Sequence, residues 1–273
     1  MSVDFSVIIP TFRRPGELTE AIQSVIRQRE STEIFVVDDS AEGSAEEQVR
    51  NIADSRITYL KNPNPTGGIP SIVRNIGWRL ARGKFIHFLD DDDLLTDGHY
   101  AAVKAAFAAN PQIGLVFGRV EPFGTGPAAQ LAHERQYFAD AARKAAKSGR
   151  FGSRFAFAGR MLFDKALLVC SASVIRHDCL VRLGGFDPVI RLMEDADYHL
   201  RAIRQCGAAF IDRTAVRYRV GSPSLMHSVE PTPIQQQAEH FGHRQMQLKY
   251  RNQYGVVEFY ALALFTRTIL KLF

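Results

Sequence analysis

Four consecutive aspartates, Asp90–Asp93, are the residues of this sequence best suited to chemistry. They follow Phe85–Leu89, which is predicted as the fourth strand, so they stand at the carboxyl end of a strand. Alternate side chains of an extended segment share one side, which predicts that Asp90 and Asp92 converge while the other two point away. Two converging carboxylates beside a diphosphate form a hard-oxygen site for Mg²⁺ or Mn²⁺. The alternative interpretation is capping of the next helix, because carboxylates favour the positive end of a helix dipole.

Asp38 and Asp39 stand at the end of the second predicted strand, and Arg74 follows the third predicted strand. One of these two carboxylates is suited to accept a hydrogen bond from a base or ribose, and the alternative is again a helix cap. Arg74 follows the Gly67-Gly68 turn, where a guanidinium can pair bidentately with a phosphate or simply be solvated. The turn has neither the G-x-G-x-x-G nor the G-x-x-x-x-G-K-[ST] spacing, so dinucleotide oxidoreductases and P-loop NTPases are disfavoured.

Another group of acidic residues lies at Glu194, Asp195 and Asp197, shortly after the Gly184-Gly185 pair. The glycines permit a close backbone approach, and the acids fall in the first turn of a predicted helix. There they either complement the helix dipole or provide a carboxylate at a pocket wall that acts as a general base.

Alternating strands and helices must position these residues. Connections too long for hairpins indicate an α/β fold with a doubly wound, mostly parallel sheet and helices on both faces, in which ligands bind outside the carboxyl ends of the strands. The early strands are predicted at 5–10, 34–37, 57–60, 85–89 and 113–120, and later ones at 168–175 and 215–220. Helices are predicted between them, at 194–206, and from about residue 231 onward.

The composition and net charge of the chain restrict the classes of molecule that it is expected to bind. Hydrophobic residues make up 46% and charged residues 23%, as in soluble globular chains, which excludes intrinsic disorder. The 34 Lys and Arg against 29 Asp and Glu give a net charge of +5, which favours anionic partners. Nucleic acid is not expected among them, because no helix-turn-helix pattern or basic patch interleaved with aromatics is present. Three cysteines without C-x-x-C spacing, and an apolar N-terminal run that stops at Pro10, predict a cytoplasmic protein without a signal peptide.

Taken in order, five segments resemble the motifs of the family 2 glycosyltransferases, enzymes of the GT-A fold. The first resembles S-V-I-I-P-T-Y-N-R, with Phe-Arg in place of Tyr-Asn, and the second resembles V-D-D-x-S. The third resembles A-R-N-x-G with A-x-G, with valine for the first alanine, and the last two resemble F-L-D-x-D-D and G-G-F-D with E-D. These segments are Phe5–Arg14, Val36–Ser40, Val73–Gly83, Phe88–Asp93 and Gly184–Asp195. The resemblance covers about residues 3–225.

The resemblance implies an inverting glycosyltransferase that moves a sugar from a nucleotide-diphosphate sugar, with UDP favoured, to an acceptor hydroxyl in glycan biosynthesis. The acceptor would be a glycan, a lipid-linked sugar or a small molecule, and the cofactor Mn²⁺ or Mg²⁺. Asp195 would be the catalytic base and Asp92 a metal ligand. His227 would contact the diphosphate or metal, since Gly221 stands where the family has histidine; a surface histidine is the alternative. The donor would be bound by Thr11, Asp39, Arg74, Asp90, Asp91 and Glu194.

Two other functions remain as alternatives. One is a nucleotidyltransferase that makes nucleotide sugars, although the G-x-G-x-R loop usual in those enzymes is missing here. The other is a non-catalytic nucleotide-sugar-binding protein.

The predicted domain boundaries are 1–225 for the catalytic domain, with a nucleotide-binding half to about 120, and 226–273 for a C-terminal helical extension. The last helix, 256–273, has a mostly apolar stripe on one face, with Arg267 and Lys271 on another. The stripe consists of Phe259, Leu262, Ala263, Thr266, Ile269, Leu270 and Phe273. Such a helix docks on its own domain or on a second subunit in a homodimer, or it lies in an anionic membrane interface. The last arrangement would make the protein peripheral to the inner face of the cell membrane.

Overall fold

The computed structural model describes residues 3–151, 153–164, 167–221 and 233–272. Its first half is a parallel sheet with strand order β3-β2-β1-β4, and every crossover between these strands contains a helix. The strands are β1 (Phe5–Thr11), β2 (Thr32–Asp38), β3 (Ile57–Lys61) and β4 (Phe85–Phe88), and the helices are α1 (Pro15–Ile26), α2 (Glu46–Ile52) and α3 (Pro70–Trp78).

The second half extends this sheet to eight strands in the order β3-β2-β1-β4-β7-β6-β8-β5. Strand β7 runs antiparallel to β4 and β6, whereas β6 and β8 are parallel, so the sheet is mixed. The strands are β5 (Leu94–Leu95), β6 (Leu115–Gly124), β7 (Ser173–Arg176) and β8 (Ala208–Val220). The helices are α4 (His99–Ala109), α5 (Ala128–Ser148), α6 (Ser153–Phe163), α7 (His177–Leu183) and α8 (Glu194–Cys206). The predicted α/β fold class is confirmed.

Strand β1 shows why the sheet is covered on both faces. Phe5, Val7 and Ile9 are fully buried against the layer that contains α1 and α4, whereas Ile8 faces the layer that contains α3, α6 and α8. Successive side chains of a strand point to opposite faces, so a run that is apolar at every position must be buried on both. Each such side chain contributes roughly 1.5–3 kcal/mol to stability.

The strand predicted at 168–175 is much shorter in the structure, where only Ser173–Arg176 forms β7. A short helical turn at Cys170–Ala172 precedes it and directs Ser171 toward the end of β4. There the Ser171 hydroxyl accepts a hydrogen bond from the backbone N–H of Asp90 at 3.1 Å. The segment is buried, as its apolar composition predicts. Residues 170–172, however, form a helical turn whose Ser171 side chain bonds to the end of β4, so they do not pair as a strand.

The C-terminal helices α9 (Pro233–Tyr254) and α10 (Val256–Leu272) pack onto α6 and α8. Leu262, Thr266 and Leu270 of α10 are buried, which confirms docking of the predicted stripe on the rest of the chain; Ile269 instead remains 40% exposed. An added Cβ at Gly159 of α6 would lie 2.3 Å from Thr266 Oγ1, so this glycine permits the close approach of the two helices. Among the described residues, no helix combines the length and the apolar character needed to cross a bilayer.

Candidate active site

A cleft of about 350 Å³ opens at the carboxyl ends of β1, β2 and β4. Eight of the nine site residues predicted from the sequence line it together, although they come from five separate segments of the chain: Thr11, Asp39, Arg74, Asp90, Asp91, Asp92, Glu194 and Asp195. The ninth, His227, lies outside the described residues. The topology therefore assembles in one place what the sequence indicated only in pieces.

The aspartate run does not continue the strand, and this corrects one prediction. Strand β4 ends at Phe88, and the chain then turns, with the N–H of Asp93 donating to the carbonyl of Asp90 at 3.2 Å. Because the segment is a turn, its side chains do not alternate. Asp91 lines the cleft together with Asp90 and Asp92, and only Asp93 is buried away from it.

Arg14 joins two of these aspartates and is a site residue that was not predicted from the sequence. Its Nη1 donates to Asp92 Oδ2 at 2.7 Å and to Asp91 Oδ1 at 3.3 Å. Thr11 Oγ1 donates to the other oxygen of Asp91 at 2.7 Å. Burial and the neighbouring Asp92 charge nevertheless raise the pKa of Asp91 to about 7. The one feature of the sequence that could have indicated a site role for Arg14 is its position at the end of the opening motif, directly before α1.

Arg74 is buried and links the end of β4 to the start of α8. Its Nη2 donates to Asp90 at 2.7 Å and its Nη1 to Glu194 at 2.8 Å, while its Nε–H has no acceptor among the described residues. Both terminal nitrogens bind carboxylates in this structure, and contact between Arg74 and a donor phosphate stays a prediction. A guanidinium can be buried at this depth because carboxylates on both sides compensate for its lost hydration.

Asn75, next along α3, fixes the loop of the glycine pair. Its side-chain amide donates to the carbonyl of Phe186 at 2.8 Å, and its Oδ1 accepts the N–H of the same residue at 3.0 Å. Gly185 has a φ of +83°, and a Cβ there would lie 2.4 Å from Asn75 Oδ1, so only glycine fits. Two motifs that lie 111 residues apart in sequence thus form one structural unit behind the cleft.

Asp195 is the candidate general base. It lies in the first turn of α8, faces the cleft, and accepts the N–H of Ala196 at 2.7 Å. Burial and the adjacent Glu194 raise the pKa of Asp195 to about 7, the range in which a general base is most effective at neutral pH. Asp197 differs, because it is buried and pairs with Arg201 at 2.8 Å and Lys249 at 2.9 Å.

Asp38 and Asp39 accept hydrogen bonds from the backbone of nearby segments. Asp38 accepts the N–H groups of Ser40 and Ala45, each at 2.8 Å, so it serves the start of α2. Asp39 accepts bonds from Asn62, Thr66 and Gly68, which shape the loop that forms one wall of the cleft. Burial opposes ionisation of Asp39, but these hydrogen bonds outweigh it and lower its pKa. Direct contact between Asp39 and a nucleotide stays a prediction.

The carboxylates of the cleft are the candidate ligands for the predicted metal. Within the part of the chain that the structure describes, no group of three or more His, Cys, Asp or Glu side chains is arranged to hold a metal. Asp91 and Asp92 do reach one common cation, the Arg14 guanidinium. Mg²⁺ and Mn²⁺ are often held by one or two carboxylates with substrate phosphates and water, so these side chains fit a metal that arrives with its substrate.

Two solved structures of similar shape contain bound nucleotide sugars. Staphylococcus aureus TarS residues 1–349, in complex with UDP-GlcNAc, superposes with a TM-score of 0.63 at 17% identity, over 92% of this chain and 67% of that one. A Pyrobaculum calidifontis mannosyltransferase in complex with GDP-Man and Mn²⁺ gives 0.58 at 16% identity, over 100% of this chain and 81% of that one. At such identities the likeness shows the fold, and the GT-A fold predicted from the sequence is confirmed.

Comparison of sequences gives closer relatives over shorter spans. A Campylobacter jejuni GalNAc(5)-diNAcBac-PP-undecaprenol beta-1,3-glucosyltransferase is 39% identical over 116 residues, which are 41% of this chain and 37% of that protein. Among three curated relatives, the shared segment is between 11% and 62% of the relative's length. A family model described as glycosyl transferase family 2 matches residues 6–168, more than half of the chain. The chain therefore belongs to glycosyl transferase family 2.

Proposed function

We propose that this chain transfers a sugar from a nucleotide-diphosphate sugar to an acceptor hydroxyl with inversion at the anomeric carbon. The observation that carries the proposal is that a candidate base and a cluster of charged side chains line the same cleft. Asp195, with a pKa near neutrality, and the charged cluster of Asp90–Asp92 with Arg14 and Arg74 line the same 350 Å³ space. The first supplies a base for the acceptor, and the second supplies charged groups for the donor diphosphate.

The reaction is a single displacement. The acceptor oxygen attacks the sugar C1 and forms the new glycosidic bond, while the bond from C1 to the diphosphate oxygen breaks. The nucleoside diphosphate leaves with that electron pair, and the acceptor hydroxyl proton passes to the carboxylate of Asp195. Because attack and departure occur on opposite faces of C1, the anomeric configuration inverts.

Mn²⁺ or Mg²⁺ is the proposed cofactor, with Asp92 and its neighbour Asp91 as ligands beside the donor phosphates. When bound, the ion acts as a Lewis acid that stabilises negative charge on the leaving diphosphate. The Mn²⁺ in the P. calidifontis structure supports this assignment. Arg14 would release Asp92 as the ion binds and remain available to the diphosphate.

For the donor we propose a UDP-sugar and for the acceptor a hydroxyl of a lipid-linked glycan. The UDP-GlcNAc complex of TarS supports the nucleotide. The undecaprenol-linked substrate in the name of the C. jejuni relative supports the acceptor class and a role in glycan biosynthesis. A nucleotidyltransferase is disfavoured, because the family match and the absent G-x-G-x-R loop both argue against it.

The test is a donor screen with the whole chain. UDP-Glc, UDP-GlcNAc, UDP-GalNAc and GDP-Man are offered with Mn²⁺, with Mg²⁺ and with EDTA, and donor binding and nucleoside diphosphate release are measured. We expect one UDP-sugar to be bound and slowly hydrolysed only with metal, and transfer to an acceptor to invert the anomeric configuration seen by NMR. A retained configuration, or equal turnover in EDTA, would contradict the mechanism. Donor binding without any turnover would favour the non-catalytic alternative.

A further inference from the structure

A second cavity, of about 190 Å³, lies between α5, α6 and α10 and shares no lining residue with the cleft. Five of the side chains around it are basic and one is acidic: Arg143, Lys144, Arg160, Arg267, Lys271 and Asp164. We call this the basic cavity. Nothing in the proposed transfer reaction uses it.

The ion pairs around the basic cavity leave positive charge uncompensated. Asp164 pairs with Arg160 at 2.7 Å and with Lys144 at 2.8 Å. Asp140, just outside the lining, pairs with Lys144 and with Arg143. Among the residues that the structure describes, two carboxylates therefore face five cations.

The uncompensated cations are on α10. Arg267 and Lys271 are exposed and form no ion pair with any described residue. Unpaired cations gathered around a concave site attract an anion.

Buried polar groups line the inner wall of the basic cavity. Arg160 is only 4% exposed, and it donates to the carbonyl of Leu270 near the end of α10. Thr266 is 2% exposed, and its hydroxyl has no hydrogen-bond partner among the described residues. The bond to Leu270 accounts for Arg160, but no carboxylate among the described residues accounts for Arg267 and Lys271. The Thr266 hydroxyl packs against Gly159, so the cations are the groups that would hold a ligand, and phosphate suits them because it accepts several charged donors at once.

The outer face of α10 indicates the source of that phosphate. Val257, Tyr260 and Leu264 are 85%, 60% and 66% exposed. They recur at helical spacing on the face opposite the buried Leu262 and Thr266, and the same face continues to Lys271. A helix face that is apolar along its length and basic at its end matches a phospholipid surface, where acyl chains lie beside anionic headgroups. A free phosphate would need only the cavity.

We propose that the basic cavity binds the headgroup phosphate of an anionic phospholipid, while Val257, Tyr260 and Leu264 insert at the bilayer surface. Docking of α10 on α6 and membrane contact are then not alternatives, because opposite faces of one helix carry them. The proposal does not depend on the reaction in the cleft.

The test is co-sedimentation of the full-length chain with vesicles of phosphatidylcholine alone and of phosphatidylcholine with phosphatidylglycerol, at 0.1 M salt. We expect binding to the anionic vesicles only. The double variant Arg267→Gln, Lys271→Gln should bind about 25-fold more weakly, because each basic residue near an anionic surface contributes about fivefold in affinity. The matched control Arg29→Gln, Lys84→Gln removes one exposed arginine and one exposed lysine elsewhere and should bind as the unchanged chain does.

A second pair of measurements separates the lipid from free phosphate. Tyr260→Ser, Leu264→Ser should lose vesicle binding, yet both this variant and the unchanged chain should show the same chemical-shift response of α10 to inorganic phosphate. Equal vesicle binding by the Arg267, Lys271 variant would overturn the proposal. Phosphate binding by the unchanged chain without vesicle binding would overturn the lipid source, and thermal melting of each variant confirms that it is folded.

Discussion

Two strand ends carry adjacent aspartates, and the structure uses them in opposite ways. After β2, Asp38 and Asp39 accept hydrogen bonds from backbone and side-chain donors of nearby loops, and those bonds lower the pKa of Asp39 against the effect of burial. After β4, burial and the Asp92 charge raise the pKa of Asp91 to about 7, although Thr11 and Arg14 donate to it. Carboxylates that backbone groups satisfy build the fold, whereas carboxylates that are crowded against each other and bridged by Arg14 are ready for a ligand.

The same contrast recurs at the start of α8. Asp197 is buried and paired with Arg201 and Lys249, and Asp195, two residues earlier, faces the cleft with its pKa raised to about 7. Sequence position alone does not separate these carboxylates; the partners that the fold supplies do.

The largest effect on stability is expected from Arg74→Met. The substitution leaves Asp90 and Glu194 facing each other without their common cation, and breaking a buried ion pair in this way costs about 3–5 kcal/mol. Urea unfolding should show the loss, and donor binding should be abolished in the same variant. Unchanged stability would mean that Arg74 does not hold the two segments together. Arg79→Met, one turn later and exposed, is the matched control.

Asp39→Ala and Asp92→Ala should separate the two kinds of strand end. Asp39→Ala leaves the N–H of Gly68 and the donors of Asn62 and Thr66 without an acceptor, at a cost of about 1–3 kcal/mol. Hydrogen exchange at 62–68 should accelerate.

Asp92→Ala removes one of several crowded carboxylates, so stability should change little while metal-dependent donor binding is lost. Urea unfolding and donor titration with and without Mn²⁺ measure both variants. The distinction fails if Asp92→Ala is the more destabilised of the two or binds donor with unchanged affinity in Mn²⁺.

The dependence of kcat/KM on pH should follow Asp195. A base must be ionised to accept a proton, so activity rises with pH through its pKa of about 7 and levels off above it. At pH 5 the ionised fraction is about one hundredth of that at pH 9, so kcat/KM should fall about a hundredfold. Asp91 titrates in the same range, so donor affinity measured over the same pH series separates its contribution. A rate that is constant between pH 5 and pH 8 would contradict the assignment.

Much of the fold was accessible from the sequence because β1 and β2 contain the uninterrupted apolar runs 7–9 and 34–37, and only strands covered on both faces can bury such runs. The direction of β7 was not accessible, since its antiparallel pairing with β4 and β6 is set by contacts between distant residues. The hydrogen bonds between Asn75 and Phe186 could not be predicted for the same reason, because these residues are 111 positions apart in the sequence.

The site was predictable as a set of residues but not as a geometry. Motif order identified eight residues that line the cleft, yet the rule of alternating side chains misplaced Asp91, because a turn between Asp90 and Asp93 replaces the extended strand. Arg14 received no role, since an arginine before a helix has no pattern that indicates which carboxylate it will reach. Local periodicity gives the elements, and the partners of charged groups come from tertiary structure.

The most direct test of the central claim, that Asp195 is the base of a transferase, compares Asp195→Asn with Asp197→Asn. For Asp195→Asn we predict a fall in kcat of about 10²–10⁴-fold, with donor affinity unchanged and no loss of unfolding free energy, because a neutral side chain removes a buried charge. Asp197→Asn should retain catalysis per folded molecule and lose stability, because it weakens the pairs with Arg201 and Lys249. Turnover by Asp195→Asn within a few-fold of the unchanged chain would contradict the account.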